Sequence, residues 1–517
     1  MPGNQHGQLP TLADVNKKLN EIRQSLLDLG LASAPLSFTG LTPYGYLFPQ
    51  LQEDADALLP VGRETFDGLV ALGRAMKEPA DDPRDSTIPS AYTYFGQFVD
   101  HDITQELRSD RMIESLIDPD LKPFRPEVIA DNIKNARTPT LDLDCVYGTT
   151  ASGDPVPSFE SLLGIGTIAE LPGPVPEALK KKAPENDVPR TPLAADARID
   201  RKARIGDSRN DDNFITSQLH VAFLKAHRAI VRRGYTFEEA RTLLRQHYQW
   251  LVIDDYLPRV ANAGIVRDIL AHGNRVFRPK TFGLYMPLEF SAAAFRFGHS
   301  MVRSTYEYND NFLGPNALGL SDILTHAAFR NKFPNAPGLP RNMLIQWEMF
   351  MDGGPNRARR IDPRVVAPLS SLTDSHGEAL KGDFANLAVR NLLRGYLLRL
   401  PTGQKVAQAL GLKPLTFGEL VRTAVEASPQ QLSVLLDGGF LRHTPLWYYI
   451  LAEAAAGPDS GNSLGPVGST ILAEVLIGMI RRSEDSILAQ PGWKPTLGEK
   501  PGAFKLIDLF RLADVWR

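Results

Sequence analysis

The sequence predicts a mainly α-helical protein with very little β-structure, and two observations carry this prediction. Apolar residues recur with a helical period over long stretches, whereas the alternating pattern of half-buried strands is scarce. The 40 prolines and 41 glycines indicate long irregular joins between the helices. We expect one large domain over residues 37–517, preceded by a tail and a surface helix within residues 1–36.

Helices are expected where the apolar period runs between capping residues, prolines or glycines. In chain order these stretches are residues 12–31, 64–76, 91–107, 213–233, 237–260, 288–305, 339–352, 383–400, 404–410, 417–426, 444–456 and 469–482. Two stretches punctuated by proline and glycine, 38–59 and 149–200, are expected to be irregular surface connections.

Composition excludes several classes of protein. A hydrophobic content of 43% and a charged content of 23% are those of an ordinary globular protein, and a net charge of -3 without long single-sign blocks implies no nucleic-acid partner. A single cysteine, Cys145, excludes an internal disulfide framework and a cysteine-rich metal site. Neither a signal peptide nor a transmembrane helix is expected, so a cytoplasmic location and export by a non-cleaved route both stay open. Oligomeric state is not indicated.

The stretch over residues 95–104 places an amide, two carboxylates and an imidazole in an apolar run. On a helix, Gln97, Asp100 and His101 share one face, whereas Asp102 is rotated about 100° from His101. Burying these groups is costly unless each has a partner. Two readings are open: a core histidine with capping acids, or a site.

A second polar motif lies in the loop that follows. Thr138, Thr140, Asp142 and Asp144 occupy alternate positions, which sends their oxygens to one side of an extended backbone. Ca²⁺ prefers about six to eight oxygen ligands, and Asp102 could supply a carboxylate that the loop lacks. The alternative is a turn capped by its own aspartates.

Arg209 lies in a turn that opens the helix predicted over 213–233. Capping chemistry explains the acids of this turn, but a cation there opposes the helix dipole, so Arg209 is a candidate partner for an anion. His220 and His227, on the helix itself, are expected to be packed or surface histidines.

The helix predicted over 288–305 carries a second imidazole, His299, with Arg296 one turn before it. Asn391 offers an amide that could hold the far nitrogen of a ligating histidine, and Arg394 could neutralise a carboxylate. A packed core histidine is the alternative.

Taken together and in this order, the motifs resemble those of the animal-type haem peroxidases, the superfamily of myeloperoxidase, lactoperoxidase and their bacterial relatives. The motifs are Gly-Gln-x-x-Asp-His-Asp, Thr-x-Thr-x-Asp-x-Asp before Val-Tyr-Gly, Gly-Asp-x-Arg-x-x-acid, Phe-Arg-x-Gly-His and Asn-x-x-Arg. The resemblance covers about residues 92–412, and five ordered motifs are far more specific than any one. It implies a single helical domain with haem b between a distal and a proximal helix.

The resemblance assigns roles to the motif residues. It implies that His101 is the distal base, Arg209 its cationic partner, and Gln97 a hydrogen-bond partner of distal water or halide. It implies that the proximal side consists of the iron ligand His299 and its supporting residues, Asn391 behind the ligand, Arg394 on a haem propionate, and Arg296 close to the haem.

Calcium and covalent haem attachment are also implied. The Ca²⁺ ligands would be Asp102, Thr138, Thr140, Asp142 and Asp144. Asp100 and Asp212 fall where the family ester-links the haem methyls, but Asp212 is one methylene shorter than the usual glutamate, which leaves the second ester open. Asn213 replaces the haem-linked methionine of myeloperoxidase, so no sulfonium bond is expected.

The expected function is reduction of hydrogen peroxide with oxidation of small donors, whether phenols, halides or pseudohalides, consistent with a role in the response to oxidative stress. A fatty-acid oxygenase shares the scaffold, but that branch needs a tyrosine three residues before the proximal histidine, where this chain has Arg296. A tyrosine elsewhere, for instance Tyr285, could serve instead, so the oxygenase stays the second alternative. The third alternative is a non-catalytic haem- or calcium-binding scaffold, which would need neither His101 nor Arg209.

Overall fold

The computed structural model describes residues 41–79, 84–108, 122–148, 163–196, 199–278, 284–372 and 382–516. Helices dominate these residues and the strands are short, which confirms the mainly α class. The helix expected over residues 12–31 and the boundary after residue 36 lie outside the described residues. No helix in the described ranges is long and apolar enough to cross a bilayer.

The α-helices of at least seven residues are Arg63–Ala75, Ala91–Ile103, Pro126–Asn132, Phe214–Arg232, Phe237–Trp250, Ala263–His272, Thr325–Asn331, Leu387–Leu397, Gly403–Ala409, Phe417–Ala427, Pro429–Asp437, Leu446–Ala456, Pro466–Ile480 and Leu506–Leu512. One-turn α-helices lie at Asp144–Tyr147, Glu177–Lys180, Leu257–Val260, Leu288–Ser291 and Leu320–Ile323. The strands are Thr42–Gly45, Asp85–Pro89, Glu106–Arg108, Ile133–Asn135, Gly166–Thr167, Glu185–Asp187, Met286–Pro287, Thr305–Tyr306, Leu318–Gly319 and Arg357–Arg359.

The helix Ala91–Ile103, called the distal helix below, is fixed at both ends by strand pairing. Before it, Asp85–Pro89 pairs antiparallel with Arg357–Arg359. After it, Glu106–Arg108 forms the edge of a four-stranded sheet whose other strands are, in order, Ile133–Asn135, Thr42–Gly45 and Met286–Pro287. The helix ends earlier than the predicted residue 107 because the backbone of Thr104 is extended and leads into this sheet.

The distal helix lies in the centre of the core. Of its 13 residues, 11 are buried, and the other two, Gly96 and Gln97, are half-buried. Phe98 stacks on Phe223 of the helix Phe214–Arg232, with ring centroids 4.5 Å apart. A Cβ on Gly96 would lie 2.5 Å from the hydroxyl oxygen of Tyr256, so this close approach requires glycine.

The single helix predicted over residues 288–305 is wrong. The chain forms the one-turn α-helix Leu288–Ser291 and then a 3-10 helix, Ala294–Met301, called the proximal segment below. Arg296 Nε donates to the carbonyl of Ser291 at 2.7 Å, and Ser300 Oγ donates to that of Phe297 at 2.9 Å. These side chains bond carbonyl oxygens locally, which favours the tighter turn over a continuous α-helix.

The helix predicted over residues 339–352 is also wrong. The segment contains only the 3-10 turns Arg341–Met343 and Trp347–Met349. Asn309 donates to the carbonyls of Asn342 and Leu344, at 2.8 and 2.9 Å. Side-chain amides from elsewhere in the chain thus satisfy backbone groups that a helix would have paired internally.

The stretch predicted as one helix over 237–260 is continuous but not uniform. Between Phe237–Trp250 and Leu257–Val260 lies a π-helical turn, Leu251–Tyr256. Asp255 in this turn accepts a 2.6 Å hydrogen bond from the hydroxyl of Tyr92. The wider turn is therefore tied directly to the distal helix.

Candidate active site

His101 lies near the end of the distal helix and is 6% exposed. Its Nδ1 is 2.9 Å from Oδ1 of Asn210, and its Nε2 has no hydrogen-bond partner among the described residues. Burial, followed by the nearby Arg209 guanidinium, lowers the pKa of His101 to about 4. At neutral pH the imidazole is therefore uncharged and can act as a base.

Asn210 links this imidazole to a second histidine. Its Nδ2 is 3.0 Å from Nδ1 of His220, and both Asn210 and His220 are completely buried. His220 is packed in the core, as expected, but its contact with Asn210 was not predicted. The available signal was the position of Asn210, directly after Arg209 in the same turn.

Arg209 is fixed at the carboxyl end of the distal helix. Its Nη2 donates to the carbonyls of His101 and Thr104, at 3.0 and 2.6 Å. Its Nε and Nη2 also bond the buried carboxylate of Asp207, which forms a second ion pair, 2.5 Å long, with Arg137. The Arg209 side chain remains 30% exposed, and its Nη1 has no hydrogen bond to the described residues. One edge of the guanidinium is therefore available to an anion.

Gln97 occupies the same face of the distal helix, one turn before His101. Its Oε1 accepts hydrogen bonds from Asn213 Nδ2 at 3.2 Å and from Thr216 Oγ1 at 3.0 Å. Asn213 also caps the helix Phe214–Arg232 through Thr216 N. The carbonyl of Gln97 is thus held in place, and its Nε2 has no partner within the described ranges.

The two candidate ester carboxylates have different surroundings. Asp100 is buried, pairs with Arg296 Nη1 at 3.1 Å and accepts from Thr104 Oγ1 at 3.0 Å. Its burial opposes ionisation, but Arg296 and other nearby cations outweigh it and lower the pKa. Asp212 is exposed to solvent, and its carboxylate has no hydrogen-bond partner in the described part of the chain. Surrounding protein still desolvates it and raises its pKa to about 7.

His299 and Asn391 meet as expected on the proximal side. His299 Nδ1 is 2.8 Å from Asn391 Nδ2, and a half-turn of the amide would present the carbonyl oxygen instead. Desolvation, with Arg296 nearby, lowers the pKa of His299 to about 3. The residue is nevertheless only half-buried, so part of it is accessible to solvent.

Both proximal arginines are paired with carboxylates. Arg296 bonds Asp100 of the distal helix, and its own carbonyl accepts from Trp447 Nε1 at 3.1 Å. Arg394 Nη2 donates to the Glu106 carboxylate, while its Nε is buried without a partner in the described residues. Sequence reasoning placed Arg394 beside a carboxylate but did not predict Glu106, which lies in the strand after the distal helix.

Asp102 faces away from this group, as the sequence predicts. It is completely buried, and it accepts hydrogen bonds from Cys145 N at 3.1 Å and from Leu143 N at 3.3 Å. Leu143 adopts a left-handed conformation with φ of 58°, unusual for a branched residue. The far side of the distal helix is therefore anchored on the loop that contains Asp142 and Asp144.

The loop carboxylates lie close together but bond other donors. Asp144 accepts from Thr138 N at 3.0 Å, and Asp142 accepts from Thr140 Oγ1 and from a distant serine, Ser483. Burial and then a neighbouring carboxylate raise the pKa of Asp102 to about 7 and of Asp144 to about 6. The described residues contain no ready-made metal cluster of three or more acidic, histidine or cysteine side chains.

Comparison with known proteins decides the family. The sequence profile of the family described as animal haem peroxidase matches residues 122–476, more than half of the chain. The chain belongs to the animal haem peroxidase family. Membership of this family implies a haem cofactor and supports an oxidoreductase activity. The match begins after the distal helix, so the roles of His101 and its neighbours rest on geometry and on the order of the motifs.

Individual relatives are distant. Peroxinectin A of Dictyostelium discoideum is 24% identical over 329 residues, which cover 56% of this chain and 57% of that protein. A peroxidase-like protein of Margaritifera margaritifera is 27% identical over 176 residues, 28% of this chain and 21% of that protein. The matched stretches thus span at most about half of these relatives.

Solved structures show the same fold. Peroxidase A of Dictyostelium discoideum is similar with a TM-score of 0.57 at 16% identity, over 93% of this chain and 95% of that one. A fatty acid alpha-dioxygenase of Arabidopsis thaliana has a TM-score of 0.50 at 14% identity, over 92% and 78% of the two chains. The haem peroxidase scaffold is thus shared by both kinds of enzyme.

Proposed function

We propose that this member of the family is a haem-dependent peroxidase that reduces hydrogen peroxide and oxidises small donors such as phenols, halides or pseudohalides. The observation that carries the proposal is the proximity of His101 and Arg209. The neutral imidazole of His101 and the guanidinium of Arg209 lie at the same end of the distal helix, and among the described residues neither His101 Nε2 nor Arg209 Nη1 has a hydrogen-bond partner. The candidate site therefore contains a base and a cation close to each other.

The free groups around this pair fit a haem. His299 has an Nε2 without a partner in the described residues, and it would bind the iron, with Asn391 turned to accept from Nδ1. Arg394, whose Nε is buried and has no hydrogen-bond partner in the described part of the chain, would face a propionate, and Arg296 would lie near the haem. When bound, the haem supplies the iron that takes up peroxide and the oxidising power passed to the donor.

The distal residues would perform the proton chemistry. His101 Nε2 would take a proton from hydrogen peroxide and return it to the oxygen that departs as water. Arg209 Nη1 stabilises the negative charge that develops there. Gln97 Nε2 donates to water or a halide in the same space. Asn210 and Asp207 hold the two active groups still.

Covalent attachment of the haem is part of the proposal. Asp100 is the first candidate for an ester, in which a C–O bond to its carboxylate would replace a C–H bond of a haem methyl, with hydrogen peroxide as the two-electron oxidant. For that bond Asp100 must give up its ion pair with Arg296. The carboxylate of Asp212 has no hydrogen-bond partner in the described structure. A second ester forms only if this side chain, one methylene shorter than that of glutamate, reaches a haem methyl. Extraction with acidified butanone tests this: haem left with the protein shows a covalent bond, and Asp100→Ala should release it.

We propose a Ca²⁺ site formed by Asp102, Thr138, Thr140, Asp142 and Asp144. Two buried carboxylates and a third close by favour a cation between them, although their present partners are mainly N–H and O–H donors. Chelation with EGTA should lower the melting temperature, and added Ca²⁺ should restore it. Asp142→Asn should make the protein indifferent to both treatments, whereas an unchanged response would contradict the site.

The first experiment on function is an absorption spectrum of the purified, haem-loaded chain before and after a slight excess of hydrogen peroxide. We expect a Soret band that shifts on addition and returns when a phenolic donor is supplied. A protein that takes up no haem, or whose Soret band ignores peroxide, would overturn the proposal and favour the non-catalytic scaffold.

A fatty-acid oxygenase is the second candidate, because the fold is also that of a fatty acid alpha-dioxygenase. Against it, the position three residues before His299 is Arg296, which is paired with Asp100 and cannot form the tyrosyl radical that the oxygenase branch needs. Oxygen uptake with a long-chain fatty acid separates the two: rapid uptake without reduction of added peroxide by a phenol would favour the oxygenase.

A further inference from the structure

We propose that Asn210 and His220 are positioning residues that hold the His101 imidazole with its proton on Nδ1, so that Nε2 stays free to accept a proton. This inference rests on the proposed peroxidase function, because only a base at this position needs a defined tautomer. Asn210 occupies an unspecified position of the Gly-Asp-x-Arg-x-x-acid motif, and His220 lies outside all five motifs from which the function was inferred.

The first step is the bond between His101 and Asn210. The carbonyl oxygen Oδ1 of Asn210 lies 2.9 Å from His101 Nδ1. A carbonyl oxygen only accepts, so Nδ1 must carry the proton, and a neutral imidazole has just one. The lone pair that can receive a proton from a substrate therefore lies on Nε2.

The second step is what keeps the Asn210 amide from turning over. Its Nδ2, which only donates, lies 3.0 Å from His220 Nδ1, so that nitrogen must be the acceptor. With His220 in this tautomer, reversing the amide would place its carbonyl oxygen against a lone pair and its N–H against the His101 proton. His220 thus determines the orientation of Asn210, and Asn210 that of His101.

Burial makes the arrangement stiff. Asn210 and His220 are completely buried, and His220 Nε2 has no hydrogen-bond partner within the described residues. Because both side chains are shielded from bulk solvent, breaking a contact in this row leaves a buried polar group unsatisfied, which is costly. The reverse arrangement, in which both imidazoles change tautomer together, is the competing state, and it would leave His101 with a proton on Nε2.

The test uses two reactions of the haem-loaded protein that need a free distal base: reaction with hydrogen peroxide, and binding of cyanide, which enters as hydrogen cyanide and must lose its proton. Asn210→Leu removes the acceptor with little change in volume. We expect both rate constants to fall by about tenfold to a hundredfold, part of the usual contribution of a general base.

Asn210→Asp is the conservative variant. One carboxylate oxygen accepts from His101 Nδ1, and the other accepts from His220 Nδ1 once His220 moves its own proton there from Nε2. His101 therefore keeps its proton on Nδ1, and we expect both rates to stay near those of the wild type. A general loss of packing would not distinguish Leu from Asp in this way. Equal rates in the wild type and in Asn210→Leu would overturn the inference, as would equal losses in the two variants.

His220→Leu tests the outer residue, and it decides the matter if Asn210→Leu fails to fold or bind haem. Its control is His227→Leu, a buried histidine of the same helix that bonds the hydroxyl of Tyr147 at 2.9 Å and does not contact Asn210. Slower cyanide binding in His220→Leu but not in His227→Leu supports the inference. Equal rates in the two variants overturn it. A wild type that holds no haem or ignores peroxide would instead refute the proposed function.

Discussion

The two sides of the candidate haem site are built differently. On the distal side, His101 and Gln97 bond buried side chains of the same side, and Arg209 bonds two backbone carbonyls and the carboxylate of Asp207 in its own turn. On the proximal side, Arg296 and Arg394 bond carboxylates, Asp100 and Glu106, that come from the distal helix and the strand after it. The distal groups are thus held within their own side of the site, whereas the two proximal arginines are held across it, and in the proposed enzyme a haem between the two sides would loosen these pairs.

Secondary structure follows the same division. The distal helix is a regular α-helix held at both ends by strand pairing, and its far side is anchored through Asp102. The proximal segment is a 3-10 helix with poorer internal hydrogen bonding. A preset base suits fast proton transfer, and an adaptable proximal side suits insertion of a large cofactor.

The largest effect is expected from His299→Ala. Loss of the iron ligand should abolish haem retention except for haem held by an ester bond, which acidified butanone would reveal. The measurement is the haem content per protein from the Soret band, with His227→Ala as a buried control. Full retention of extractable haem by His299→Ala would show that another residue binds the iron.

Arg209→Ala should distinguish the role of the distal side from that of the proximal side. Because its guanidinium lies on the distal side, haem should stay bound while reaction with peroxide slows by about a hundredfold to a thousandfold, the scale of one lost electrostatic donor. Stopped-flow absorption measures the rate. Arg209→Lys keeps the charge but not the fork of donors, so we expect a smaller loss. Equal haem loss in Arg209→Ala and His299→Ala would contradict the division of roles.

Glu106→Gln sharpens the comparison on the proximal side. Glu106 pairs with Arg394, and neutralising it should free that arginine for a haem propionate. We expect haem to bind more tightly, by up to about tenfold, or ~1.4 kcal/mol. Titration of the haem-free protein with haem measures this affinity. Weaker binding would mean that Glu106 orients Arg394 for the propionate and does not compete with it.

The distal region was the more predictable of the two from sequence. A helical period and the Gly-Gln-x-x-Asp-His-Asp motif are local, so the helix, the shared face of Gln97 and His101, and the opposite direction of Asp102 could be read directly. The pairs that complete the site could not. Arg394 and Glu106 are 288 residues apart, and Asn210 and His101 are 109 apart. No local pattern specifies such contacts.

The prediction of a single α-helix through the proximal segment was wrong for another reason. Its apolar residues fit a helix, but the difference between an α-helix and a 3-10 helix depends on which carbonyls the polar side chains take. Arg296 and Ser300 each bond a carbonyl within the segment or just before it. The same polar residues that signalled a site therefore also changed the backbone.

The smallest expected effect is on the pH dependence of stability, and it concerns the buried scaffold that both sides share. His247 accepts hydrogen bonds from Thr496 N and Leu497 N through Nε2, at 2.8 and 3.0 Å, so it must stay neutral in the folded protein. Burial lowers its pKa from 6.5 to about 4. Between these two pH values the unfolded chain binds the proton and the folded chain does not. The contribution of His247 to the free energy of unfolding is therefore fully present above pH 6.5 and is lost as the pH falls towards 4.

His247→Gln keeps an acceptor for the two N–H groups but cannot titrate. We expect the wild type to lose about 1 kcal/mol per pH unit more than this variant over that range, because one pKa unit corresponds to that scale of free energy. Denaturant unfolding of the haem-free chain at pH 7, 6 and 5 measures the difference, and the exposed His272→Gln is the control. Parallel pH profiles for the wild type and His247→Gln would show that the acid sensitivity comes from other groups, and the histidines of the distal network, His101 and His220, would be the next to examine.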